Sequence, residues 1–249
     1  MVEVARVHGV DLISGSGLAE ALEGVDVVID VSNPMPAYGH SDITDTLATA
    51  SRNLVDACAS QGIQRLVVLT IAGMEDPALD GFPYYAGKRA AKEIVLGGPV
   101  PATIVKSTQW HEFATNPAAV SCNDGEVVAE DWLIQPIAAD TVADVLVEAA
   151  LGQTRTPRTI TGPQDIRLPE LTSKLLALQG DGRRVRTVQP ALPALAGGVL
   201  LAPTHAMVLG PDIDTWLDTV ATNGASISSS AEESKSQSSR PRTQDFSST

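Results

Sequence analysis

The chain has 249 residues, 43% hydrophobic and 19% charged, enough to bury one large core or two small ones. A net charge of −13 would repel a polyanion, so nucleic acid is excluded as the principal partner. No apolar run nears the roughly 18 residues of a membrane helix, and residues 1–10 lack the basic start and apolar stretch of a secretory leader. The expectation is a cytoplasmic protein without a membrane partner. Cys58 and Cys122 have no CxxC or Cys/His neighbour, so they read as small core residues, with neither a disulfide framework nor a metal site.

In chain order, "VEVARV" predicts a short strand and "GLAEALEG" a short helix closed by Gly24. "VDVVIDVS" is a near-continuous β-branched run, the pattern of a parallel strand buried on both faces. Residues 40–62 predict a long amphipathic helix, with Ile43, Leu47, Ala50, Leu54, Ala57 and Cys58 at helical spacing and Gly62 as its stop. "IQRLVVLTIAG" reads as a strand, "PYYAGKRAAKEIVLGG" as a helix and "PATIVKST" as a strand. "VVAED" and "WLIQPIAA" are shorter extended pieces, and "ADTVADVLVEAALGQ" is again a helix. Alternation of this kind predicts an α/β fold, a doubly wound parallel sheet with helices on both faces. Beyond residue 165 follow the helix "LPELTSKLLALQG", a strand-like "RRVRTVQP", a Pro/Gly-broken apolar stretch and a final helix "DIDTWLDTV". The predicted organisation is a Rossmann-like core over 1–165, a small substrate-side region over 166–220 and a disordered Ser-rich tail over 221–249.

The stretch "DLISGSGLAEAL" has the glycines of a phosphate-binding turn, Gly15 and Gly17. A dinucleotide fingerprint also needs a buried strand before it, a third small residue and a helix long enough to cross the sheet. Here the third position is Glu20, and few residues separate Gly17 from Gly24. The expectation is an ordinary turn.

Taken in order, "HGVDL", "GVDVVIDVSN", "NLVDACASQGIQRLVVLTIAGM", "YYAGKRAAKE", "TIVKSTQWHEF" and "TGPQDIRLPEL" resemble the atypical short-chain dehydrogenase/reductase superfamily. The likeness is to its NmrA-like, triphenylmethane-reductase-like branch and covers roughly residues 4 to 220. Members open with a buried strand, a GxxGxxG loop and a helix, whereas this sequence opens at what would be their second strand. Because that first strand lies at the sheet's centre, the expectation is that the strands keep their family positions, with a gap beside "VVIDVS" partly filled by side chains or by another chain. Binding of NAD(P) should then be weak.

Tyr84 and Lys88 stand at i and i+4 on one helix face. A packing tyrosine and a solvated lysine would meet that spacing equally; the resemblance makes it the Tyr-x-x-x-Lys pair. It implies Tyr84 as proton donor, Lys88 lowering the phenol's pKa and holding the nicotinamide ribose, and Thr70 polarising the substrate carbonyl. Tyr85, adjacent, leaves open which ring faces the site. The resemblance further implies Asp11 and Leu12 at the adenine, and Ser32, Asn33 and Gln109 with Lys88 around the cofactor. Trp110, His111 and Phe113 would line the substrate side. His111 beside Glu112 lacks ligand spacing, so no metal is expected. Arg6 leans towards the 2′-phosphate of NADP. Arginines 155, 158, 167, 183, 184 and 186 read as a solvated face rather than a phosphate patch.

Two functions fit this reading. One is NAD(P)-dependent hydride transfer to a small organic substrate; the other is a non-catalytic, nucleotide-binding redox sensor acting through partners. Substrate identity and oligomeric state stay open.

Overall fold

The computed structural model describes residues 3–36, 42–153 and 158–222. Of the Ser-rich tail expected over 221–249, residues 221 and 222 are helical and the rest, with Arg155, lies outside the described residues. In chain order the main elements are α1 (Leu18–Ala21), β1 (Val27–Asp30), α2 (Ile43–Ser60), β2 (Arg65–Ile71), α3 (Pro83–Gly97), β3 (Ala102–Ser107) and β4 (Val120–Cys122). There follow β5 (Glu126–Glu130), β6 (Leu133–Ile134), α4 (Ala139–Ala150), β7 (Arg158–Thr161), β8 (Ile166–Arg167) and α5 (Leu168–Leu178). The chain then forms β9 (Arg184–Val188), α6 (Pro193–Ala196), β10 (Met207–Val208) and a last helix, α7, over 213–222.

Five strands form a parallel sheet in the order β1-β2-β3-β7-β10. Alternation along the strands sorts their side chains to two faces. Leu66, Val68 and Ile104 pack with Leu54, Val55 and Val95 of α2 and α3. Val67, Val105 and Ile160 pack with Val142, Val145 and Leu146 of α4. The α/β architecture with helices on both faces is as the sequence predicts.

α2 begins where the Asp42 carboxylate accepts from the Thr44 amide at 2.7 Å, a cap that satisfies one otherwise orphaned donor. It ends just before Gly62, whose φ of +71° is the left-handed conformation a glycine adopts without steric cost. α2 and α3 approach closely because Gly87 has no side chain: a Cβ there would lie 2.7 Å from Leu47 Cδ1. Beyond the sheet's carboxyl edge, β4, β5 and β9 form a three-stranded sheet and β6 pairs with β8. With α5, α6 and α7 they enclose a third core containing Met74, Tyr85, Trp132, Leu171 and Trp216.

Three expectations need correction. "VEVARV" is not a strand: residues 3–5 pair with nothing regular, and Arg6–His8 form a 3-10 turn. "VEVARV" therefore takes no strand position, while the far side of "VVIDVS" is left unpaired among the described residues, as the expected gap beside it would leave it. "VVIDVS" supplies β1, but as an outer strand whose four residues are all half-buried, because no strand pairs with its far side among the described residues. Its apolar run suits a central position that it does not occupy. Cys122 is exposed rather than a core residue, whereas Cys58 is fully buried, with its thiol pushed up to about 11 by burial and by the Asp30 charge.

Candidate functional site

The "SGSG" stretch is a turn closed on itself. Asp11 donates its amide to Ser16 O at 3.0 Å, Gly15 donates to Asp11 O at 2.7 Å, and Ser16 donates to Ser14 Oγ at 3.3 Å. Those amides are spent inside the chain. The following helix, α1, has four residues, too short to orient a useful dipole. This turn is not a pyrophosphate cradle. Asp11 accepts from the Ile13 amide and lies 3.6 Å from the Arg6 guanidinium, so both side chains are partnered locally.

The cleft lies at the carboxyl ends of β1 and β2, where parallel sheets expose outward-directed loops. Asp30, Ser32 and Pro34 come from β1 and its loop, Leu47 from α2, Thr70 from β2 and Lys88 from α3; Leu12 closes one end. Its enclosed space is about 30 Å³, well short of the several hundred cubic ångströms of a cofactor pocket. An extended ligand would therefore lie along the open edge rather than inside the cleft.

Helix α3 carries the titratable pair. Tyr84 Oη donates to Asn33 Oδ1 at 3.2 Å, and Lys88 Nζ lies 5.7 Å from the centroid of the Tyr84 ring. No hydrogen bond to the Lys88 ammonium forms among the described residues, and burial pushes its pKa down against the pull of Asp30. Burial pushes the Tyr84 phenol up, and the Asn33 hydrogen bond offsets only part of that. The expected lowering of the phenol by Lys88 is not found: the ammonium sits over the ring, and only burial and the Asn33 hydrogen bond act on the phenol. Tyr85 is 3% exposed and belongs to the third core. Tyr84 is therefore the ring that faces the cleft.

Thr70 lines the cleft, but its hydroxyl donates inward to Met74 Sδ at 3.3 Å. The loop carrying Met74 is fastened to α3. Arg89 donates to Met74 O at 2.7 Å, and the Glu75 carboxylate pairs with Lys92 at 3.0 Å and with Lys106 of β3 at 2.5 Å. Nothing local in the sequence marks this clasp, since Glu75 stands 17 and 31 residues from its partners.

The segment after β3 divides by alternation. Trp110 bridges to Ile137, donates its indole N–H to Ser107 Oγ at 3.1 Å and packs on the α4 face. It is turned away from the cleft side. Gln109 and His111 point the other way; His111 is fully buried and stacks on Trp216 at 4.8 Å. Phe113 packs on Trp132 at 5.2 Å, in the third core. The structure thus joins Ser32, Thr70 and Lys88 in the wall of one cleft with Leu12 at its end, sets the hydrogen-bonded pair Tyr84 and Asn33 beside Lys88, and separates Trp110 from them. Arg158, Arg167, Arg183 and Arg186 are each paired with an acid, as a solvated face would be.

Among solved structures, the dTDP-glucose 4,6-dehydratase DesIV from Streptomyces venezuelae, with NAD and TYD bound, superposes with a TM-score of 0.62 at 18% identity, over 84% of this chain and 76% of that one. The Bordetella bronchiseptica enzyme WbmH, in complex with NAD+, gives 0.60 at 12% identity, over 85% and 78%. A short-chain dehydrogenase/reductase superfamily protein from Agrobacterium tumefaciens with bound NAD gives 0.53 at 15% identity, over 87% and 84%. Against gox2253, at 0.52 and 17% identity, the match covers 70% of this chain and 62% of that one. No curated protein matches the sequence. Residues 3–152 match the NAD(P)H-binding family, and this match takes in β1 to β3 and the helix bearing Tyr84 and Lys88. The chain belongs to the NAD(P)H-binding family and has the fold of the short-chain dehydrogenase/reductase superfamily.

Proposed function

We propose that this chain is an NAD(P)-dependent oxidoreductase of the NmrA-like type that moves hydride between the cofactor and a small organic substrate. The observation that carries the reading is the pairing of Tyr84 and Lys88 on one face of α3 at the mouth of the cleft, with Asn33 on the phenol. The residues present fit the ribose–nicotinamide half of the cofactor. Lys88 brings an ammonium without a hydrogen-bond partner among the described residues, beside the hydroxyl of Ser32. They do not fit the pyrophosphate half: the Gly15 and Ser16 amides are bonded within their own turn, and the helix that follows has only four residues. When bound, the nicotinamide supplies or accepts the hydride. Tyr84, kept neutral by burial, holds the proton to be delivered to a substrate oxygen, and Lys88 would hold ribose hydroxyls. Thr70 must turn from Met74 to reach a ligand. Leu12 and Asp11 stand as adenine contacts, Gln109 as a cofactor contact, and His111 and Phe113 as substrate contacts. A cytoplasmic setting suits this activity. Arg6, exposed but already paired with Asp11, favours NADP over NAD only slightly.

The test is direct binding followed by turnover. Without a cradle of charge-assisted hydrogen bonds, each worth about 1.5–3 kcal/mol, NADPH should bind this chain well above micromolar Kd by calorimetry. Tyr84→Phe and Lys88→Ala should each lower turnover by about 10²-fold or more, with Tyr85→Phe close to wild type. Equal tolerance of all three would defeat the enzymatic reading. A second reading, a nucleotide-binding sensor without catalysis, is favoured by the small enclosed space and by the Gly15 and Ser16 amides being bonded within their own turn. It predicts measurable cofactor binding with no turnover.

A further inference from the structure

Three buried side-chain atoms have no hydrogen-bond partner among the described residues: Gln109 Oε1, His111 Nδ1 and His111 Nε2. Buried polar atoms left unpaired are rare and costly, so a cluster of them needs an occupant. Gln109 and His111 flank Trp110, whose backbone is extended, and His111 opens a 3-10 turn over residues 111–115. The amide of His111 donates to Ile137 O at 3.0 Å, and the Ile137 amide donates to Gln109 O at 3.0 Å. That pairing fixes the backbone and sends side chains 109 and 111 to the same side, opposite Trp110. The imidazole stacks on Trp216 of α7, and Trp216 shares a core with Phe113 and Tyr84. Gln109 is half-buried with its oxygen inward, so this side chain runs from the open side into the interior.

We propose that Gln109 and His111 form a specificity-determining subsite for an uncharged ligand group that both donates and accepts hydrogen bonds, a hydroxyl or a primary amide, and that this subsite rejects carboxylates. The assignment rests on the oxidoreductase reading only in treating that ligand as the substrate, and it moves Gln109 from the cofactor side of that reading to the substrate side. Its chemistry follows from the groups themselves. A neutral imidazole offers one donor and one acceptor, and the glutamine amide offers both. A carboxylate can only accept, and among the described residues no cation is found acting on His111. Burial holds the ring neutral, its pKa pushed down to about 4, and the charge acting on it is the Asp212 carboxylate at the start of α7. Asp212 attracts a protonated ring and would repel an anion. Trp216 closes over the ring, so α7 must shift for a ligand to enter.

Acetamide and acetate, alike in size and opposite in this respect, are suitable probes. Imidazole ¹⁵N shifts of His111, followed by NMR in the full chain without cofactor, should respond saturably to acetamide and not to acetate. Gln109→Leu and His111→Phe should weaken that binding by about tenfold or more. Both should keep or raise the Tm, since each removes an unpaired buried group. Binding of acetate as strongly as acetamide would overturn the proposal, as would ring nitrogens that exchange with water alone and ignore both probes. If either variant fails to fold, the wild-type titration decides by itself. Cofactor and turnover play no part in this measurement, so an inactive enzyme would leave the subsite standing. Normal turnover with no acetamide response would overturn the subsite alone.

Discussion

Tyr84 and Tyr85 are neighbours whose rings meet edge-on at 5.3 Å, yet burial gives them separate roles. Tyr85 is a core side chain, and burial pushes its phenol far up; Tyr84 keeps a hydrogen bond to Asn33 at the cleft. The family resemblance, not the i, i+4 spacing alone, singled out Tyr84 and Lys88, and neither carries information on solvent, so the rise in the Tyr84 pKa was not legible in the sequence. His111 leads to a prediction on pH. Its pKa is near 4 in the folded protein against an ordinary 6.5, so the unfolded chain takes up the proton first as pH falls. This group's stability is therefore fully present above about pH 6.5 and is lost progressively down to about pH 4, by roughly 3 kcal/mol at about 1.4 kcal/mol per unit. Urea unfolding of wild type and His111→Phe at pH 7 and pH 4.5 reads the effect. The gap between the two proteins should shift in favour of the variant at the lower pH, and an unchanged gap would refute it.

Elements whose pattern answers to local periodicity were legible: α2, β2, α3 and β3 fall where apolar spacing and turn residues put them. "VEVARV" was misjudged as a strand, and "VDVVIDVS", rightly a strand, was misjudged only in its burial. Strand pattern reports the neighbours a segment is suited to, not those it has, and β1 lacks the second neighbour that its valines and isoleucine suit. The alternation that turns Trp110 away from Gln109 and His111 depends on pairing with residue 137, too distant for any local signal. At this scale Gly87 is the sharpest test. Alanine there gains about 1 kcal/mol in helix propensity, but its Cβ would stand 2.7 Å from Leu47 Cδ1 and 3.1 Å from Thr44 Cα. The backbone contact cannot yield as a side chain can, so Gly87→Ala should destabilise by a net ~1–2 kcal/mol. Chemical denaturation would check this, and a stabilised variant would show that α2 and α3 can part freely.

In the whole molecule the sheet grows in one direction only, from β1 outward to β10. A doubly wound fold binds its ligand where strand order reverses, and that place corresponds here to the unpaired side of β1. The outward N–H groups of Val27–Asp30 have no ladder partner among the described residues, while Val31 nearby is 57% exposed. Native-state hydrogen exchange should find β1 amides that exchange with little protection, against strong protection in β2, which is paired on both sides. Equal protection in the two strands would mean that another strand covers the edge in solution.

The same parallel order governs how the protein reaches its fold. Parallel neighbours cannot be joined by a tight turn, so each pairing must close a long loop before it is rewarded. β1, β2 and β3 are linked by single helices, α2 and α3, whereas β3 meets β7 only after β4, β5, β6 and α4 have been threaded between them. The nucleus should form over β1–α2–β2–α3–β3, with β7 and β10 added late. Val67→Ala in β2 should then mainly slow refolding, and Ile160→Val in β7 should mainly speed unfolding, as stopped-flow chevrons would resolve. The reverse pattern would place the first organised contacts at the far side of the sheet.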